Sequence, residues 1–102
     1  MIKDIMKTVA IIGGTQTDTL IKLGKKRGLQ VLHHTGETKR SRKKVLESII
    51  RKADGVVIME GAINHMSMNT ARDLAEGMGK KIGYHTGFGA SGALDKAVIL
   101  IG

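Results

Sequence analysis

The chain has no cysteine and no proline, and only two aromatic side chains, Tyr84 and Phe88. The missing cysteine excludes disulfides, thiolate metal sites and thiol nucleophiles together. Two aromatics give no platform on which single-stranded bases would stack, and the core must be built from Val, Ile, Leu, Met and Ala. Long apolar runs are missing too: stretches such as residues 9–12 fall far short of the roughly 20 residues needed to span a bilayer. Residues 1–7 mix Lys3, Asp4 and Lys7 with apolar side chains and lack the apolar middle of a signal peptide. One soluble, cytoplasmic domain spanning residues 1–102, with no membrane partner, is the expectation.

Glycine and positive charge are in excess: 14 of 102 residues are glycine, and the formal net charge is +8. Lys22, Lys25, Lys26, Arg27, Lys39, Arg40, Arg42, Lys43 and Lys44 are opposed in their stretch only by Glu37, so the whole net charge sits there. A solvated, solubilising face accounts for such a run. Attraction of an anion, whether phosphate, nucleic acid or an acidic partner, accounts for it equally. Lys39 to Lys44 fall at an expected helix start, where the backbone dipole already favours negative charge. Crowded cations are unfavourable there unless something negative visits. The end of the first helix and the start of the second would lie at opposite ends of a sheet, so the segment is not one patch.

The pattern reads as strand then helix, four times. Thr8-Val9-Ala10-Ile11-Ile12 stops at Gly13-Gly14, and a helix follows from about Asp18 with Gly28 as its cap. Gln30-Val31-Leu32-His33-His34 closes at Thr35-Gly36. Ser41 then caps a helix whose Val45, Leu46, Ile49, Ile50 and Ala53 share one face. Gly55-Val56-Val57-Ile58-Met59 turns at Glu60-Gly61, and Met68, Ala71, Leu74, Ala75 and Met78 carry a helix ended by Gly79. Lys81-Ile82-Gly83-Tyr84-His85 is the fourth strand, with a final helix from Leu94 to Leu100. Such alternation with apolar strands predicts an α/β fold, a small doubly wound Rossmann-like sheet of four parallel strands covered on both faces. Right-handed crossovers make 2-1-3-4 the simplest order. Open sheet edges and a thin core predict a homodimer or larger assembly.

In such folds ligands bind beyond the carboxyl ends of the strands. All four histidines fall in the segments that arrive there, as do seven glycines: Gly13, Gly14, Gly36, Gly61, Gly87, Gly89 and Gly92. In this order strands 2 and 3 flank strand 1 and lie about 10 Å apart, and Gly13-Gly14 would leave the gap open for His34 and His65 to approach. His33 and His34 should face opposite sides, with His34 nearer the strand end. With His33, Glu60 or Asn64 as further donors, the group would hold a divalent transition metal such as iron or zinc. Histidines that cap strand ends and bond loop carbonyls are the plainer reading of each one singly.

Gly87-Phe88-Gly89-Ala90-Ser91-Gly92 matches G-x-G-x-x-G, but the chain ends before the acidic residue that a dinucleotide fingerprint needs, so no dinucleotide is expected. The turn can still hold a phosphate or carboxylate at a helix start, with Ser91 as donor, or serve only as a tight turn. Neither Ser67 nor Ser91 sits in a nucleophile motif, and Gly13-Gly14-Thr15 is not a phosphate-binding P-loop. An enzyme using Glu60 or a histidine as base has no complete constellation here.

With these residues in view, the chain resembles the small bacterial and archaeal family called domain of unknown function 2325. The likeness runs from Val9 to about Ile99 and rests on Ile12-Gly13-Gly14, His33-His34-Thr35-Gly36, Ala53-Asp54-Gly55-Val56-Val57, Asn64-His65, Ala71-Arg72, Gly79-Lys80 and Thr86-Gly87-Phe88-Gly89-Ala90-Ser91. The departures are Arg72 for a usual lysine, Lys81 for a usual proline, an added Gly92, and no arginine near Thr86. The resemblance implies a compact α/β fold and names no reaction.

The expectation is a metal- or small-ligand-binding protein, a sensor or carrier. His34, His65, His33 and Glu60 would be the metal group, and Gly13, Gly14, Asn64, Arg72, Gly87, Gly89 and Ser91 would line the ligand or anion site. The alternative is a nucleic-acid- or nucleotide-binding module acting through the segment between Lys22 and Lys44, with affinity falling steeply as salt rises.

Overall fold

The computed structural model describes residues 6–37, 39, 42–87 and 89–102. Its elements are β1 (Lys7–Ile12), α1 (Thr17–Lys26), β2 (Leu29–His34), α2 (Arg42–Lys52), β3 (Gly55–Met59), a 3₁₀ turn (Glu60–Ala62), α3 (His65–Gly77), β4 (Lys81–His85) and α4 (Ala90–Ile101). All strands are parallel, in the order β2-β1-β3-β4. The expected α/β fold and strand order are therefore observed. No helix among the described residues is long and apolar enough to cross a membrane.

Alternation along the strands sorts the core into two layers. Val9, Ile11, Leu29, Val31, Val57 and Met59 pack on one face against Leu20 of α1 and Ala93, Leu94 and Ala97 of α4. Ala10, Ile12, Val56 and Ile58 pack on the other against Leu46 and Ile50 of α2 and Ala71 and Ala75 of α3. Both faces of β1 and β3 are buried, which is why these strands read as unbroken apolar runs. Gly24 lets α1 come close: a Cβ there would stand 2.4 Å from Val31 Cγ2.

Beyond shifts of a residue at strand starts, the structure departs from the sequence reading in two places. α4 begins at Ala90, four residues before Leu94, because Ala90, Ala93 and Ala97 continue the buried stripe with side chains too small to register as a hydrophobic pattern. The 3₁₀ turn after β3 brings Ala62 back over β1, where its carbonyl accepts from Gly14 N–H at 3.1 Å. The Ser41 cap expected for α2 lies outside the described residues, as do Arg40 of the basic run and Phe88 of the glycine-rich turn.

Candidate functional site

β2 ends in two adjacent histidines that face opposite layers. His33 continues the row of Leu29 and Val31 toward α1. Its Nε2–H donates to Gly13 O at 2.8 Å, and its Nδ1 accepts from Thr17 Oγ1 at 2.8 Å. A hydroxyl beside an imidazole is the start of a nucleophile–base pair. The group orienting the ring here is a backbone carbonyl, however, not a carboxylate.

His34 points into the α2–α3 layer and is 6% exposed. Its Nδ1 accepts from Gly36 N–H at 2.9 Å, and its Nε2–H donates to Arg42 O at 3.2 Å. One neutral ring thus ties the first residues after β2 to the first residue of α2. Burial lowers its pKa below the ordinary histidine value of 6.5, the bond to the Arg42 carbonyl opposing that shift.

His65 and Glu60, the remaining members of the expected metal group, belong to the segment that follows β3. His65 is exposed as the first residue of α3, and Glu60 is exposed in the 3₁₀ turn. No three His, Asp or Glu side chains among the described residues are grouped closely enough to hold a metal ion. Gly13 and Gly14 adopt φ of +113° and +76°, but the space over them is taken. A Cβ on Gly13 would stand 3.1 Å from Met59 O, and Gly14 is covered by Met59 and Ala62.

The opening lies farther out, between the β2–α2 connection and the start of α3. Because β1 sits between β2 and β3, the connections after those strands meet across its end. Thr35, Gly36, Glu37 and Lys39 on one side and Ala62, Ile63, Asn64 and Ser67 on the other line a cavity of about 340 Å³. Gly36 makes its wall possible with φ of +99°, and a Cβ there would stand 2.8 Å from Ile63 Cδ1. Asn64 caps α3, its Oδ1 accepting from Ser67 N–H at 2.7 Å. α2 starts beside the same wall with Arg42, Lys43 and Lys44 and has no acid in its first turn.

Of the expected anion residues, Asn64 alone lines this cavity. Arg72 reaches Asp73 Oδ1 at 3.5 Å in the α3 layer. Ser91, across the sheet on α4, accepts from Arg27 at both its carbonyl and its hydroxyl. Arg27 also pairs with Asp95, and so ties α1 to α4. Gly87 and Gly92 close around the ring of His85, whose Nε2 is buried without a partner among the described residues, while Gly89 is the exposed N-cap of α4. The basic segment divides: Gly24 packs on the start of β2, while Arg42 is held at its end. The cations from Lys22 to Arg27 therefore lie toward the opposite end of the sheet from Lys39 and Arg42.

Sequence reasoning missed Thr35, Gly36, Glu37, Lys39, Ile63 and Ser67 as one lining. The available signal was Asn64 itself, an N-cap residue type directly before the helical stripe of α3, which marks a helix start close to a strand end.

A parallel, doubly wound α/β domain with a ligand-sized cavity at the carboxyl ends of its strands is the class of protein these features define. Residues 8–99 match the family described as an uncharacterized protein conserved in bacteria, DUF2325, and the chain belongs to that family. A UPF0751 protein of Bacillus anthracis is 39% identical over 90 residues, covering 88% of this chain and 91% of the relative. One from Bacillus cereus is 38% identical over 90 residues, with 88% and 91% covered. One from Desulfitobacterium hafniense is 37% identical over 87 residues, with 84% and 86% covered. No solved structure matches the chain.

Proposed function

We propose that this protein is a binding domain, acting as carrier or sensor, for a small anionic molecule held in the cavity between the β2–α2 connection and the start of α3. The observation that carries the reading is the lining itself. Lys39 and the capped start of α3 border one cavity at the strand ends, where this fold class binds its ligands. A helix start and a lysine both favour negative charge. Arg42, Lys43 and Lys44 at the neighbouring helix start raise the local potential further.

A transition metal is the less economical occupant. To ligate it, His33 would first have to give up Thr17 Oγ1 or Gly13 O, and His34 the Gly36 N–H or Arg42 O. Nucleic-acid binding through the basic segment is also less well supported, because its cations divide between two ends of the sheet. Calorimetric titration with phosphate and citrate tests the proposal. Binding that weakens as salt rises, and that Lys39→Glu abolishes, is the expected result. Binding unchanged by that substitution would remove the cavity as the site.

A further inference from the structure

Ser67 carries a feature that anion binding in general does not require. It is 4% exposed, and its backbone N–H goes to Asn64 Oδ1, yet no protein group among the described residues meets its hydroxyl. The one described side-chain atom both sealed from solvent and unpartnered is His85 Nε2. The Ser67 oxygen is therefore open, and the cavity is what it borders. Alanine would fill the same space without the desolvation cost of a buried hydroxyl. Beside it, the N–H groups of His65 and Met66 in the first turn of α3 have no acceptor within the helix. Lys39 lines the cavity from the β2–α2 connection. A hydroxyl, helix-start N–H groups and an ammonium match the three oxygens of a phosphate monoester. Elsewhere the lining changes character. Ala62 and Ile63 are apolar, while Thr35 and the acceptor-only Glu37 suit hydroxyl groups and oppose a second anion. A volume of about 340 Å³ is near the lower end of the range for ligand pockets, a fit for a compact ligand.

Building on the binding reading above, we infer that the ligand is a phosphomonoester of a small polyol, its phosphate at Ser67 and the start of α3 and its hydroxyls toward Glu37. Sugar phosphates and nucleoside monophosphates share this chemistry. The test is calorimetric titration of the wild type, Ser67→Ala, Ser67→Thr and Glu37→Gln with ribose 5-phosphate, AMP, inorganic phosphate, ribose and citrate. Ribose 5-phosphate should bind at least about tenfold tighter than citrate or ribose, and Ser67→Ala should weaken it by about tenfold or more, the worth of a hydrogen bond to a charged group. Ser67→Thr keeps the hydroxyl and should keep most of the affinity. Glu37→Gln should narrow the gap between ribose 5-phosphate and inorganic phosphate. AMP binding as tightly as ribose 5-phosphate would make the source a nucleotide, and exclusion of AMP would make it a sugar phosphate. Ribose 5-phosphate binding no tighter than citrate, or indifferent to Ser67→Ala, would overturn the inference. Citrate binding that Lys39→Glu abolishes would still leave the broader reading standing in that case, whereas no binding of any probe would remove both.

Discussion

His34 and His33 are neighbours with the same ring but different partners. His33 Nδ1 accepts from the Thr17 hydroxyl. His34 Nδ1 faces the Gly36 N–H, which can only donate, so an imidazolium there would set donor against donor. The His34 pKa is lowered, with burial as the largest cause. A depressed folded-state value means that the unfolded chain binds the proton first. The contribution is intact above about pH 6.5 and is lost as pH falls through the lowered value. Urea unfolding at pH 7.5 and 5.0 should show the wild type losing more stability on acidification than His34→Gln; equal losses would mean that His34 is not the titrating group. The position of the histidines at strand ends was legible in the sequence. Their partners were not, because Gly13 O and Arg42 O come from segments whose approach depends on how the loops close.

At the scale of elements, glycines divide by what a side chain would meet. Gly24 lies inside α1, where alanine would add about 1 kcal/mol of helix propensity. Its Cβ would also stand 2.4 Å from Val31 Cγ2 and 3.2 Å from Leu29 O, and overpacking of that kind costs about 1–3 kcal/mol. A Cβ on Gly77, in α3, would meet no atom of the described residues within 4 Å, and its φ is not positive. Gly24→Ala should therefore lower the denaturation midpoint and Gly77→Ala raise it slightly. Two shifts of the same sign would show that propensity, not the α1–β2 contact, governs Gly24. Element types could be read because β-branched runs alternate with helical stripes. The start of α4 could not, since Ala90, Ala93 and Ala97 bury a face without the bulk that makes periodicity visible.

For the whole molecule, the order β2-β1-β3-β4 was accessible because four consecutive strand–helix units with right-handed crossovers admit few arrangements. The direction of the search, toward the carboxyl ends of the strands, was accessible for the same reason. The cavity itself was not. It is made where Glu37 and Lys39 from one connection meet Ile63, Asn64 and Ser67 from another, a pairing set by the 3₁₀ turn and by the His34 tie. The net charge of +8 gave no location either, because the fold sends its cations to both ends of the sheet.

The most direct test of anion binding in this cavity is a heteronuclear NMR titration of the ¹⁵N-labelled protein with inorganic phosphate at low salt. The account predicts saturable shifts concentrated at Thr35, Gly36, Glu37, Asn64 and Ser67, with His34 following through its bond to Gly36. An unchanged spectrum, or shifts centred on Lys22, Lys25 and Lys26, would contradict it.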